Sequence, residues 1–195
     1  MMLKSKYYTE KELFDFGFKK IGTGVLISSD ARIYGQENIS IGNNVRIDDF
    51  VTISAVNGFV DIKNNVFIAR GCHISGFYGV ILHDFSSMAA NTIIYSASDD
   101  YSGNFLTAQA IPQEYTSHIG GLVDVGKHVI IGAGTVIIGA CNIGTGCSIG
   151  SMTLVIKDLT EWNVYAGIPA KIIKSRSNKL LELEKKLISE RPEFG

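Results

Sequence analysis

The stretch IGNNVRIDDFVTISAVNG, residues 41–58, carries an aliphatic side chain at every sixth position: Ile41, Ile47 and Ile53. The same phase resumes in IKNNVFIARGCHI (62–74), at Ile62, Ile68 and Ile74. Upstream it holds in IGTGVLISSDARIYGQEN (21–38), at Ile21, Ile27 and Ile33. It continues through Leu82, Met88 and Ile94, is interrupted, and then runs on at Val125, Ile131, Ile137, Ile143, Ile149 and Val155. Neither the 3.6-residue period of a helix nor the two-residue period of a lone strand keeps a six-residue register this long. Ile21, Ile41, Ile62 and Leu82 head blocks that restart two or three residues later than three hexapeptides would require. That is the spacing of a triangular coil with one slightly enlarged corner, an all-β fold.

A second slot recurs four residues after each aliphatic. It holds Val25, Ala31, Val45, Val51, Val66, Cys72, Ser86, Thr92, Val129, Thr135, Cys141, Cys147 and Thr153, all small or β-branched. A prism-shaped interior asks for this: one large aliphatic per flat face and one small residue near each corner. Between the two slots lie Gly, Asn or Asp, as in Gly42-Asn43-Asn44, which tolerate the positive φ of a tight corner. A β-sandwich of alternating strands would not hold the small slot in phase. The three cysteines all fall in that slot and read as small core residues, since no CxxC pair suggests zinc or a disulfide framework.

Composition narrows the function classes. Net charge is −1, from 18 basic and 19 acidic residues, so no overall field attracts nucleic acid or a membrane surface. Glycine is high, 21 of 195 residues, as a fold with many corners requires. The opening residues lack the apolar core of a signal peptide, and no apolar stretch is long enough to span a bilayer; a cytoplasmic location is the expectation.

Three segments depart from the coil. In residues 9–18 Thr9 and Glu12 form a capping box ahead of Leu13, Phe14 and Phe18, predicting a short helix that caps the open end, within a cap spanning 1–20. Residues 177–190 predict an amphipathic helix begun by Ser177 or Asn178, within a C-terminal unit spanning 177–195. Within the coil, 21–176, the phase is lost over 95–124, YSASDDYSGNFLTAQAIPQEYTSHIGGLVD. A loop this long inside a compact repeat is usually functional, and Asp99, Asp100, Tyr101, Tyr115 and His118 make it the place to expect acceptor chemistry.

The register, the interrupting loop and the motif AGIPAKIIK (166–174) together resemble the hexapeptide-repeat acyltransferases, over roughly residues 21–176. The resemblance is nearest to the galactoside, maltose and xenobiotic acetyltransferases and their relatives acting on nucleotide-linked amino sugars. It implies a left-handed parallel β-helix, an exception to the usual crossover hand, and a homotrimer with active sites at subunit interfaces. The segment YSASDDYSG (95–103) is similar to sugar acetyltransferases of surface-polysaccharide pathways (O-antigen, lipopolysaccharide), including those for dTDP-4-amino-4,6-dideoxyglucose. The implied donor is acetyl-CoA, without a metal. Family positions lining the pantetheine channel match Ala133 and Ser151, a pair after the last full coil matches Ile156 and Lys157, and basic residues meeting the phosphates match Lys171 and Lys174. Lysines suit a polyanion such as CoA.

The acceptor side departs from the family pattern, because Asp99 stands where many members carry a histidine base. Asp99 then orients a partly deprotonated amine, or another histidine serves (His118 in the loop, or His73, which should point outward), or the base comes from the substrate. His83 and His128 read as structural. An amine needs less help from a base than a hydroxyl does, which favours N-acetylation over O-acetylation. Two readings compete. A γ-type carbonic anhydrase shares the coil and trimer but needs three histidines on zinc, two of them close in sequence. A non-catalytic scaffold is the other, weighed against by the polar loop and terminal lysines.

Overall fold

The computed structural model describes residues 6–108 and 110–195; the first five residues of the expected cap and Gln109 of the expected loop lie outside them. The hexapeptide phase becomes three parallel sheets wound as a left-handed coil of about 7 turns. On face one Ile21 is followed, turn by turn, by Ile41, Ile62, Leu82, Val125 and Ile143. On face two Ile27 is followed by Ile47, Ile68, Met88, Ile131 and Ile149. On face three the column is Ile33, Ile53, Ile74, Ile94, Ile137 and Val155. From Ile41 onward these side chains are at most 2% exposed. Each removes an aliphatic side chain from water, an effect of about 1.5–3 kcal/mol apiece.

The small slot is buried as well. Thr92 and Thr153 donate their hydroxyls to the carbonyls of Ala89 and Gly150 within their own corners, each at 2.7 Å, and Thr135 donates to the Gly150 carbonyl of the next coil at 3.0 Å. Ser86 differs: its hydroxyl is buried with no hydrogen-bond partner among the described residues. Burial pushes the thiols of Cys72, Cys141 and Cys147 up to about 11, which keeps them protonated and inert near neutral pH.

The corners differ from the expectation in one respect. Positive φ occurs at Asn44, Asn65 and Asn91, but also at Phe50, Phe85, His128, Met152 and Trp162. The ladders on either side over-determine the turn, so a bulky residue accepts a left-handed conformation costing about 1–2 kcal/mol. The polar residues just before the turn serve another purpose. Thr23 N–H donates to Asn43 Oδ1 at 3.0 Å, Asn43 N–H to Asn64 Oδ1 at 2.8 Å, and Asn64 N–H to Asp84 Oδ1 at 2.7 Å. These side chains splice one coil to the next where the backbone ladder is interrupted.

The ends are closed. Thr9 and Glu12 form the expected capping box on the helix Glu10–Asp15, which buries Leu13. The helix stops short of Phe18 because Gly17 turns the chain at φ 75°. Ahead of it, Tyr8 N–H donates to the Ile27 carbonyl at 3.0 Å and covers the first edge of face two. At the far end Asn163–Ala166 adds a last parallel strand, and Lys171–Ser175 returns antiparallel to it. The turn between them contains Gly167 at φ 103° and a cis Ile168–Pro169 bond. The C-terminal helix is Leu180–Glu190 with Lys179 at its N-cap and no side-chain cap; Ser177 Oγ instead accepts the Lys179 N–H at 3.3 Å, so the predicted start is corrected.

The interruption is a paired excursion. Ile93–Tyr95 and Val123–Val125 stay in the coil, and between them Ala97–Asp99 pairs antiparallel with His118–Gly120 as a stem. Gly120 sits at φ 147°, and a Cβ there would lie 2.2 Å from the Ser96 carbonyl oxygen, so only glycine allows the stem to leave the coil this closely.

Candidate active site

The stem leaves at the corner where face three passes to face one. Ser96 anchors its root: the hydroxyl donates to the Ser75 carbonyl at 3.0 Å and accepts the Tyr78 N–H at 2.9 Å, while the Ser96 carbonyl accepts from Gly121 N–H at 2.9 Å. With the root fixed, the strand register sets Asp99 directly opposite His118. His118 Nε2 lies 3.7 Å from Asp99 Oδ1. The Phe77 ring packs 5.0 Å from the imidazole, and the Tyr78 hydroxyl donates to the His118 carbonyl at 3.2 Å. An imidazole and a carboxylate on a stem held at both strands make a group able to bind an amine and take up its proton.

His118 faces a polar-lined cavity of about 430 Å³ shared with Asn57, Phe77, Ile111, Gln113 and Thr116. None of these five was singled out from sequence. Asn57 and Phe77 occupy the extra residues that enlarge the corner below the stem, so the late restart of the early blocks was their signal. The other candidates on the loop are not gathered here. Asp100 extends the stem through its N–H to the Ser117 carbonyl, and Ser102 donors hold its carboxyl below the usual range. Tyr101 and Tyr115 are 85% and 57% exposed on the excursion and do not line the cavity. His73 lies on the outer side of face three, its ring 5.1 Å from that of Tyr95 at the stem root, and burial lowers its pKa from the ordinary value. His83 pairs with Asp124 at 2.9 Å and His128 with Glu184 at 2.8 Å, so the four histidines serve four separate neighbourhoods. No group of three or more His, Cys, Asp or Glu among the described residues is arranged to hold a metal ion.

The cofactor-side positions fall on both edges of face three. Tyr95 pairs with Ile138 in a column at the edge nearest the stem, and Ile156 directly follows the next strand, Leu154–Val155, about two strand spacings, roughly 10 Å, beyond Tyr95. Ile156, Lys157 and Lys171 line one cavity of about 400 Å³ with Tyr165, Pro169 and Ala170. Lys174 is exposed three residues further along the same strand, outside that cavity. Ala133 and Ser151 stack at the other edge, where Met152 N–H donates to the Ala133 carbonyl at 2.9 Å.

No protein-family model matches the chain. It is 44% identical, over 91% of its length and 93% of the relative's, to a dTDP-4-amino-4,6-dideoxy-D-glucose acyltransferase of Escherichia coli. The structure of an N-acyltransferase of Bacillus cereus, AntD, in complex with dTDP and 3-hydroxybutyryl-CoA superposes with a TM-score of 0.92 at 40% identity, covering 97% of this chain and 100% of that one. A single-residue variant of the same enzyme, bound to dTDP-4-amino-4,6-dideoxyglucose and coenzyme A, superposes with a TM-score of 0.91 at 41% identity, covering 95% and 98%.

Proposed function

The chain belongs to the family of the dTDP-4-amino-4,6-dideoxy-D-glucose acyltransferases, within the left-handed β-helix acyltransferases, and from that premise we propose that it acylates the 4-amino group of that dTDP-linked sugar with a coenzyme A thioester. The observation carrying the reading is the Asp99–His118 pair on the stem, at the same corner as the column that leads to the Ile156–Lys171 cavity. The thioester sulfur would reach the stem along that column, with Lys157 and Lys171 at the phosphate end. The amine nitrogen attacks the thioester carbonyl, its proton passes to the Asp99–His118 pair, and the thiolate of CoA leaves. This chain's residues bind, orient and take the proton; coenzyme A supplies the activated acyl group.

The split of the cofactor positions supports a homotrimer. Ala133 and Ser151 on one edge of face three and Ile156 and Lys157 on the other cannot both border one narrow channel of a single chain, whereas neighbouring coils would bring opposite edges together. Ile93, Val136 and Leu154, which point outward between those edges, give the interface its apolar centre. Light scattering should give three times 21.2 kDa; the monomer mass at micromolar concentration would rule this out. No helix among the described residues is long and apolar enough to cross a membrane. Two charged nucleotide co-substrates fit a cytoplasmic enzyme that feeds O-antigen or related surface-polysaccharide assembly.

The deciding measurement is thiol release with dTDP-4-amino-4,6-dideoxyglucose against its 4-hydroxy counterpart, each with acetyl-CoA and 3-hydroxybutyryl-CoA. Turnover with the amino sugar alone is expected. Turnover with the hydroxy sugar alone would transfer the reading to O-acylation.

A further inference from the structure

We propose that Arg176 is a positioning residue for acyl-CoA: it fixes the register of the strand that presents Lys171 and Lys174. This rests on the reading of those lysines as phosphate contacts. Lys171–Ser175 is the last strand of face two, with one neighbour, and all five of its residues are exposed. Its pairing with Asn163–Ala166 shifts between Val164 and Tyr165, so that Val164 faces Lys174 while Tyr165 faces Ile172. An edge strand with an irregular register and no buried face has little to resist a slip of one residue, which would turn both lysines to the opposite side.

Ala170 N–H, just before the strand, donates to the Leu154 carbonyl at 2.8 Å, and Arg176 supplies the restraint at the other end. Three successive coils turn the corner between faces one and two through positive φ at His128, Gly146 and Trp162. The carbonyls of all three accept hydrogen bonds from Arg176. Its own N–H donates to Trp162 at 2.7 Å, and one guanidinium nitrogen donates to His128 at 2.9 Å, to Gly146 at 3.0 Å and also to Cys147 at 3.1 Å. These acceptors belong to the rigid coil, so the residue directly after the lysine strand is bolted to it at several points. Partly withdrawn from water, the guanidinium exchanges hydration for these fixed neutral carbonyls, with no carboxylate bonded to it among the described residues. The helix Leu180–Glu190 closes over the same corner, where Glu184 pairs with both Lys127 and His128.

The test compares CoA affinity, by calorimetry, in Arg176→Gln, in the Lys171→Ala/Lys174→Ala pair and in the triple variant, with steady-state kinetics on each. Arg176→Gln should weaken CoA binding and raise the acyl-CoA KM roughly 5- to 20-fold, the scale of coupling through one shared strand. The sugar KM and kcat should stay within about twofold. In the triple variant Arg176→Gln should add little, because its effect passes through the lysines. Arg176→Lys, which keeps the charge and part of the reach, should fall between; it also serves as the test if Arg176→Gln does not fold. Undiminished CoA affinity in the folded Arg176 variants, or a loss of the same size in the lysine-free background, would overturn the proposal and leave the proposed function standing. Undiminished affinity in the lysine pair would overturn the assignment of the lysines themselves, and this proposal with it.

Discussion

Asp99→Asn should lower kcat roughly 10²–10⁴-fold, about 2.7–5.5 kcal/mol of transition-state stabilisation, with little change in the KM for acyl-CoA. The sugar amine arrives mainly as an ammonium near neutral pH and must shed a proton before or during attack. Asp99 is placed across the stem from His118, with its oxygen 3.7 Å from Nε2, so the carboxylate can hold the amine and pass its proton to the imidazole. An asparagine preserves shape and the stem but removes the negative charge and the proton acceptor. Ile156, Lys157 and Lys171 lie beyond the stem and Ala133 and Ser151 at the other edge of face three, which is why acyl-CoA binding should survive. His118→Gln should show a loss of the same kind, and the double variant should fall well short of the product of the two, as groups acting as a unit do. A kcat for Asp99→Asn within threefold of wild type, from burst-free steady-state kinetics, would remove the pair from the mechanism.

Ile131→Ala should destabilise the fold by about 2–5 kcal/mol, measured by denaturant midpoint. Ile131 is 0% exposed and stacks between Met88 and Ile149 on face two, immediately beyond the excursion. In a coil each turn touches only its neighbours, so the cavity left there cannot be closed by distant rearrangement. Ile33→Ala is the internal comparison: Ile33 has the same slot in the repeat but is only partly buried, near the capped end. It should cost less than half as much. Equal losses at the two positions would mean that burial along the column does not set the stability of this coil.

The repeat alone was enough for the coil, its three faces and the order of its columns. The reason is periodic: each turn repeats the same two interior demands, a large aliphatic and a small corner residue, and every turn must meet them in sequence. The capping box at Thr9 and Glu12 was equally local and therefore legible. Asp99 and His118 were legible as residue types in a long polar loop, but nineteen positions of sequence separate them, and neither carries a signal for the other. Only the antiparallel stem decided that they meet. That pairing depends on Ser96 and Gly120 at its root, a contact between strands that no short pattern encodes. The late restart of the early blocks marked the enlarged corners that hold Phe77 and Asn57, but not that a later segment folds back over them to make one cavity. Arg176 was hidden more deeply. It follows the motif that contains Lys171 and Lys174, yet its partners are the backbone carbonyls of Trp162, Cys147, Gly146 and His128 in three separate coils, which present the same chemistry whatever side chain they bear. A sequence specifies which side chains are available and where the core must lie; which backbone atoms converge on an arginine is decided by the turns of the coil stacking at one corner.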